Sequence, residues 1–216
     1  MNVAEKIEKP ILTNAWQLLN DNSIDSIVTF CKRLDTILGG GIRLGQMTEI
    51  IAPAGCGKTQ ICFQSAVTCQ IPICLGGVEG QVIYIDTENT FNTKRLEAIA
   101  QAVVEHCRST ISDGQKVLTA KSFTKENIFD RIHYKKCSTI VQLLDVCSRL
   151  ETLVKRWNVK LVIVDSVAAP FRYNDSLPTE KNLDHLKFQQ LLKMRLLQTA
   201  IRRNVAVIVT NHMTTR

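Results

Sequence analysis

Long apolar runs are missing from this sequence, and so is the apolar stretch of a secretory signal near its N-terminus. The longest apolar runs, 161–164 and 205–209, have the length of strands, so none could span a bilayer. Internal repeats and low-complexity segments are also absent. With 45% hydrophobic and 22% charged residues, the chain is not collagen-like, mucin-like or disordered. We therefore expect a globular protein of 216 residues, with one core or one large domain and a small appendage, and no membrane contact.

Metal-binding and disulfide spacings are missing among the eight cysteines. No two of them form Cys-x-x-Cys, and none lies near a His-x-x-x-His motif. Most fall inside apolar segments, where a free cysteine behaves as a small hydrophobic residue. We interpret them as reduced thiols of an intracellular protein, rather than as a zinc site or a disulfide framework.

Acidic charge is scarce in the second half of the chain. Residues 1–100 carry 8 Lys/Arg against 10 Asp/Glu, whereas residues 101–216 carry 19 against 10. A basic half suggests contact with a polyanion, although on charge alone a solvated basic surface is the simpler interpretation. The basic residues of the last predicted helix scatter around the helical wheel, so we do not interpret that helix as a DNA-binding face. Its apolar residues also extend most of the way round, which is typical of a helix covered by more protein.

Short apolar runs alternate five times with amphipathic stretches. The runs read as continuous apolar segments, which is typical of a parallel sheet covered by helices on both faces. The predicted strands are 47–51, 82–85, 131–134, 161–164 and 205–210. The predicted helices are 59–70, 96–107, 140–157 and 183–201, with a short helix at 12–19 and loops at 109–122 and 172–182.

A phosphate-binding loop is predicted at the first strand–helix junction. Residues 52–59 fit the P-loop spacing, with alanine in the first position. The amides of such a loop and the N-terminus of the next helix bind phosphates. Lys58 would reach the β- and γ-phosphates and Thr59 would ligate Mg²⁺; the alternative is a glycine-rich turn with an exposed lysine. The candidate nucleotide-binding residues are Ala52, Pro53, Ala54, Gly55, Cys56, Gly57, Lys58, Thr59 and Gln60.

Two acidic residues follow predicted strands. Asp165 ends the run Leu-Val-Ile-Val, where an acid helps to hold Mg²⁺ in P-loop proteins; the alternative is a helix N-cap. Glu88 follows the second strand, where a carboxylate can orient the attacking water or accept its proton. The alternative for Glu88 is an ordinary loop acid.

Several longer motifs surround these residues. The segments 57–62, 70–72, 76–80 and 84–91, the last reading Tyr-Ile-Asp-Thr-Glu-x-x-Phe, closely resemble the RecA-like DNA strand-exchange recombinases of eukaryotes and archaea. More specific stretches resemble the C-type paralogue of the eukaryotic recombinase. These stretches are 30–41, 123–128, 169–172 and 210–215, and the whole resemblance covers about residues 10–216.

The resemblance implies an α/β P-loop NTPase with a RecA-like core, in which the strand 205–210 lies between the Walker A and Walker B strands. It implies Glu88 as the catalytic glutamate and Asp165 as the Walker B aspartate. His212 falls where the family carries its γ-phosphate sensor. Arg172 and Tyr173 fall at the start of the first DNA-binding loop.

The sequence departs from the family at several points. His212 replaces a glutamine, and Asn89 replaces the glycine after the catalytic glutamate. The family's N-terminal helical domain is missing, and the family core continues further, so we expect the core at 31–216 to be incomplete at its C-terminal end. Residues 1–30 are expected to form a linker and a candidate partner-docking segment. There, Leu12 and Ala15 resemble a Phe-x-x-Ala-like motif, with an ordinary amphipathic turn as the alternative.

The resemblance implies a slow, DNA-dependent ATPase that uses ATP and Mg²⁺ and acts in homologous recombination and double-strand break repair. Its implied partners are other recombinase paralogues and single-stranded or branched DNA. Its implied location is the nucleus, with the cytoplasm as a second compartment. One alternative is a nucleotide-holding scaffold that bridges other paralogues, which Asn89 and His212 favour. Another is a small-molecule kinase or another P-loop enzyme, which would need an acceptor pocket and an arginine-bearing lid, and the sequence indicates neither.

Overall fold

The computed structural model describes residues 26–110, 122–172 and 179–213, with the backbone alone at residue 172 and at 179–185. None of the helices in these ranges is long and apolar enough to cross a membrane. The strands are β1 Ser26–Ile27, β2 Ile42–Arg43, β3 Met47–Ala52, β4 Gln81–Asp86, β5 Ile132–Lys136, β6 Val159–Asp165 and β7 Ala206–His212. The helices are α1 Lys32–Ile37, α2 Lys58–Thr68, α3 Thr93–Ser109, α4 Lys125–Asp130, α5 Ile140–Trp157, α6 Ala169–Arg172 and α7 Thr179–Arg203, with a 3₁₀ turn at Ile73–Leu75.

Strands β3 to β7 form a parallel sheet in the order β3-β7-β6-β4-β5, and β1 pairs separately with β2. Strand β7 therefore lies between β3, which leads into the predicted phosphate loop, and β6, which ends on Asp165. This confirms the position that the resemblance implied for the strand. Because the strands are parallel, their carboxyl ends meet at one edge of the sheet, where open α/β folds bind their ligands.

Two apolar cores lie on the two faces of this sheet. Leu161 and Ile163 of β6 belong to the first core, whereas Val162 and Val164 belong to the second, as the alternation of side chains along a strand requires. Buried residues of α2, α3 and α4 complete the first core, and those of α5 and α7 complete the second. The expected arrangement, a parallel sheet with helices on both faces, is confirmed.

Side-chain caps define where three helices begin. Thr139 precedes α5, and its hydroxyl accepts the N–H of Gln142. Asn92 caps α3 and Thr124 caps α4 in the same way. Each cap satisfies an amide that the first turn leaves unpaired. At its other end, α5 stops at Asn158, which has φ 49°, a left-handed conformation that asparagine tolerates.

The predicted loop at 172–182 is wrong at both ends. Helix α6 extends to Arg172, and α7 begins at Thr179. The polar residues 179–182 carry no apolar period, so the sequence pattern reveals this helix only from residue 183. The strand predicted at 131–134 lies at Ile132–Lys136.

Short elements were also beyond the reach of the pattern. Helices α1 and α4 and strands β1 and β2 span two to six residues each, which is too short for a periodic signal. Ile27 of β1 is buried in the first core. Most of the predicted linker, including the predicted helix at 12–19, lies outside the described residues.

Burial on both faces holds for β4, β6 and β7 but not for the two strands at the edges of the described sheet. On β5, Tyr134 is 44% exposed, and the two lysines after it are exposed. On β3, Ile51 is 54% exposed. Helix α7 is likewise buried on one side only: Leu192 and Leu196 are buried, whereas Met194 and Ile201 are exposed. Its outward apolar face agrees with the prediction from the helical wheel.

All eight cysteines lie among the described residues and carry free thiols. Burial raises the pKa of Cys69 and of Cys147 to about 12, so these thiols stay protonated and unreactive near neutral pH. Within the three described ranges, no cluster of three or more His, Cys, Asp or Glu residues could hold a metal ion.

Candidate nucleotide-binding site

The segment 52–59 links β3 to α2, which is the strand–helix context that its sequence predicts. Gly55 and Gly57 have φ 79° and 85°, in the left-handed region that glycine adopts without strain. Gly57 is also the N-cap of α2, so the loop closes directly onto the start of this helix. The first amides of α2 and the positive end of its dipole therefore face the loop, an arrangement typical of phosphate sites.

The Lys58 side chain is folded against this loop. It is only 7% exposed, and its ammonium group donates to the carbonyl oxygens of Ala52 and Pro53, both at 2.9 Å. A buried ammonium group requires such acceptors. Phosphate oxygens are stronger acceptors than carbonyl oxygens because they carry charge. Lys58 thus lies where it can bind phosphates held by the loop.

Asp165 is 3% exposed, and its carboxylate accepts hydrogen bonds from three hydroxyl groups. Thr59 Oγ1 lies 2.8 Å and Tyr84 Oη 2.9 Å from Asp165 Oδ2, and Thr210 Oγ1 donates to Oδ1. The structure therefore brings together Thr59 and Asp165, the two residues that the sequence assigns to Mg²⁺. Asp165 is not a helix N-cap, because the next helix begins only at Ala169.

Tyr84 lies on β4 and is 1% exposed. Its ring packs against Phe63 and Phe91, with centroid distances of 5.7 and 4.9 Å. Burial, followed by the neighbouring Cys62 and Asp165, raises the pKa of Tyr84 far above its ordinary value. The phenol therefore stays protonated, and its hydroxyl remains a donor to Asp165.

Glu88 contacts residues from two other strand ends. Its Oε1 accepts a hydrogen bond from Ser166 Oγ at 2.6 Å and lies 2.7 Å from His212 Nε2. The Glu88 and His212 side chains are 24% and 17% exposed. Ser166 directly follows β6, and His212 ends β7. The predicted base and the predicted γ-phosphate sensor are thus in direct contact.

The loop that carries Glu88 is ordered by Asp86. The Asp86 carboxylate accepts the N–H groups of Glu88 and Phe91 at 3.1 and 3.2 Å, and the Tyr134 hydroxyl at 3.1 Å. Asn89 has φ 60°, a left-handed conformation in which asparagine is the least strained residue after glycine. Asparagine at position 89 is therefore compatible with the left-handed backbone of this loop.

The oxygen donors of this site fit Mg²⁺. The ion prefers oxygen ligands, and it commonly uses one or two protein side chains together with waters and substrate phosphates. The Thr59 hydroxyl and the Asp165 carboxylate supply such a pair, 2.8 Å apart. The Thr59 oxygen can present a lone pair to a metal while its hydroxyl group donates a hydrogen bond to Asp165.

The remaining predicted site residues are placed less centrally, or lie outside the described residues. Gln60 is exposed, and its Oε1 accepts a hydrogen bond from Arg95 Nε at 2.6 Å. Arg172 is the last residue of α6. Tyr173, Leu12 and Ala15 lie outside the described residues, so their roles stay predictions.

Sequence reasoning missed four residues that shape this site, namely Tyr84, Asp86, Ser166 and Thr210. A signal existed for Thr210: once β7 is placed beside β6, the pairing of Val164 with Val209 puts the next residue of β7 level with Asp165. No comparable signal existed for Tyr84, because an aromatic residue inside an apolar strand usually belongs to the core.

This fold and this edge of the sheet define a class of protein. A parallel α/β sheet with a phosphate loop after one strand, and a carboxylate beside the loop's threonine, is a P-loop NTPase core. The family model described as Rad51 matches residues 21–216. The chain belongs to the Rad51 family, which confirms the resemblance to RecA-like recombinases.

Several curated proteins are similar to this chain. DNA repair protein RAD51 homolog 3 of Cricetulus griseus is 40% identical over 195 residues, which cover 88% of this chain and 52% of that protein. The protein of the same name from Dictyostelium discoideum is 32% identical over 232 residues, covering 100% and 59%. DNA repair and recombination protein RadA of Aeropyrum pernix is 34% identical over 197 residues, covering 90% and 55%. The chain thus spans about half the length of the curated relatives that it matches.

Proposed function

We propose that this chain is the ATP-binding core of a recombinase paralogue of the C type, acting in homologous recombination and in double-strand break repair. Its cofactors would be ATP and Mg²⁺, and it would hydrolyse ATP slowly in response to DNA. Other recombinase paralogues and single-stranded or branched DNA would be its partners, in the nucleus and secondarily in the cytoplasm. The names of its relatives, which refer to DNA repair and to recombination, support this proposal.

One observation carries the ATPase part of the proposal. Side chains from the ends of β4, β6 and β7 and from the start of α2 contact one another beside the phosphate loop: Thr59 with Asp165, and Glu88 with both Ser166 and His212. These are the groups that phosphoryl transfer to water requires, namely a phosphate cradle, a metal-binding pair and a carboxylate that can orient the nucleophile.

Each of these residues has a distinct part in the proposed reaction. Lys58 and the loop amides would bind the β- and γ-phosphates, and Thr59 with Asp165 would hold Mg²⁺. The bound ion would neutralise charge that develops on the phosphate oxygens. Glu88 would orient the attacking water and accept its proton. His212, which contacts Glu88, would sense the γ-phosphate.

The scaffold alternative is favoured by two contacts of one Glu88 oxygen. Glu88 Oε1 accepts the Ser166 hydroxyl at 2.6 Å and also lies 2.7 Å from His212 Nε2. An oxygen engaged by two partners has less capacity to accept a proton from water. If these contacts persist when ATP binds, the chain would hold the nucleotide without hydrolysing it and would act by bridging other paralogues.

Single-turnover hydrolysis of labelled ATP distinguishes these functions. We expect the wild-type chain to release phosphate slowly and faster when single-stranded DNA is added. Lys58→Ala serves as the control for contaminating ATPases. Tight ATP binding without phosphate release, with or without DNA, would reject the enzyme and favour the scaffold. Phosphate transfer to a small-molecule acceptor would reject both.

DNA binding by this chain should be mainly electrostatic. Residues 101–216 carry 19 Lys/Arg against 10 Asp/Glu. When basic residues bind DNA phosphates, the counterions of those phosphates are released, and added salt makes this release less favourable. With about three phosphates of a single strand contacted, raising the salt concentration from 50 to 200 mM should weaken binding about twentyfold. Fluorescence anisotropy with two single-stranded oligonucleotides of unrelated sequence would measure this. Tight binding whose affinity does not change with salt concentration, or a strong preference for one of the two sequences, would contradict the expectation.

A further inference from the structure

The Asp165 carboxylate receives more hydrogen bonds than the metal-binding pair alone provides. In addition to the hydrogen bond from Thr59, it accepts hydrogen bonds from the hydroxyl groups of Tyr84 and Thr210. The three donors come from three different elements: Thr59 from α2, Tyr84 from β4 and Thr210 from β7. Together they engage both carboxylate oxygens, Oδ2 from Thr59 and Tyr84, and Oδ1 from Thr210.

Neither additional donor has much freedom to move. Tyr84 is 1% and Thr210 0% exposed. The Tyr84 ring packs against both Phe63 and Phe91, which also contact each other, and Thr210 pairs with Ile50 of the neighbouring strand. A terminal carboxylate torsion is otherwise broad. Two fixed donors on different oxygens restrict the rotation of the Asp165 carboxylate.

We propose that Tyr84 and Thr210 are positioning residues, which hold the Asp165 carboxylate in the orientation that binds Mg²⁺ beside Thr59. The proposal rests on the nucleotide–Mg²⁺ site proposed above. Hydrogen-bonding partners of metal ligands orient those ligands, and their loss usually lowers metal affinity tenfold to a hundredfold. Neither residue would touch the nucleotide, so their effect should be confined to the part of the affinity that depends on the metal.

Tyr84→Phe tests this directly, because it removes only the hydroxyl group and leaves the ring in its packing. Calorimetry would give the affinity for ADP in excess Mg²⁺ and in EDTA, and the ratio of the two is the Mg²⁺ enhancement. ADP and buffer are the same for every variant, so binding of Mg²⁺ by free ADP cancels in the comparison. We expect an enhancement about tenfold smaller in Tyr84→Phe than in the wild type, with ADP affinity in EDTA unchanged.

Tyr134→Phe is the matched control. Tyr134 stacks on Phe91 in the same aromatic cluster, at 4.7 Å between centroids, but its hydroxyl donates to Asp86 instead of Asp165. The control should keep the wild-type Mg²⁺ enhancement. Thr210→Val, which removes the donor to the other oxygen, should lower the enhancement as Tyr84→Phe does. If Tyr84→Phe does not unfold cooperatively on heating, the Mg²⁺ enhancement of Thr210→Val provides the test of the positioning role.

The outcomes separate this inference from the proposed function. A wild-type enhancement that persists in both Tyr84→Phe and Thr210→Val would overturn the positioning role and leave the Mg²⁺ site standing. An equal loss of affinity with and without Mg²⁺ would also overturn it, because a merely structural effect would not depend on the metal. A wild-type chain without any Mg²⁺ enhancement would refute the site itself, and the role of Tyr84 with it.

Discussion

Lys58→Ala is expected to weaken ATP binding about a hundredfold or more. Lys58 is 7% exposed, and its ammonium group already donates two hydrogen bonds to the loop carbonyls, so little further ordering is needed for it to bind phosphate. A hydrogen bond to a charged group is worth about 1.5–3 kcal/mol, and about 1.4 kcal/mol corresponds to tenfold in affinity. Two such bonds to phosphate oxygens therefore account for the expected loss. Titration calorimetry with Mg²⁺ present measures it.

The control for this experiment removes the same charge elsewhere. Lys155 is exposed in the last turn of α5, a helix that packs in the second core, on the other face of the sheet from α2. Lys155→Ala should bind ATP as the wild type does. If Lys58→Ala and the wild type bind ATP with equal affinity, the assignment of residues 52–60 to the nucleotide site is wrong. A fall in both variants would indicate that the net charge of the chain, and not the loop, determines the affinity.

Glu88→Gln is expected to retain ATP binding and to slow hydrolysis by about a hundredfold or more. Glutamine has the same shape, and its amide oxygen can still accept the Ser166 hydroxyl that Glu88 Oε1 accepts at 2.6 Å. The substitution therefore leaves the local contacts largely in place while removing the charge that would attract a proton from water. Single-turnover phosphate release, with binding measured separately, tests both halves of the expectation.

Glu105→Gln makes the same chemical change on the exposed side of α3 and should hydrolyse ATP at the wild-type rate. Hydrolysis by Glu88→Gln at the wild-type rate would mean that another group activates the water. Loss of binding in Glu88→Gln would instead mean that the Glu88 charge is needed to hold the loops together.

Much of this fold could be predicted because the central strands are apolar and the long helices are periodic. The apolar stripe of α5 predicts its bounds, and the P-loop spacing locates the turn between β3 and α2. Register across the sheet was harder to predict. Glu88 and His212 lie 124 positions apart in the chain, and their contact can be predicted only if β7 is known to lie beside β6. The sequence indicated that position of β7 only through the family resemblance.

The hydroxyl groups around Asp165 were unpredictable for a different reason. Tyr84 and Thr210 have the pattern of core residues, and they are indeed buried. Their polar atoms matter only because they meet one carboxylate across strand boundaries. Sequence patterns report which face a residue occupies, but not which atom it meets there. For the same reason the pattern did not identify Asp86, whose role depends on the path of the loop that follows it.

The place of β7 in the sheet also affects when the nucleotide site can form during protein synthesis. Strand β3 pairs with β7 alone in the described sheet, and Met47 meets Val207, 160 positions later in the chain. At about 5–20 residues per second, a ribosome needs about 8–30 s to cover that distance. Until then the nascent P-loop strand has no partner strand beside it. Strands β4, β5 and β6 can pair earlier, so we expect the phosphate loop to be among the last parts of this core to become ordered.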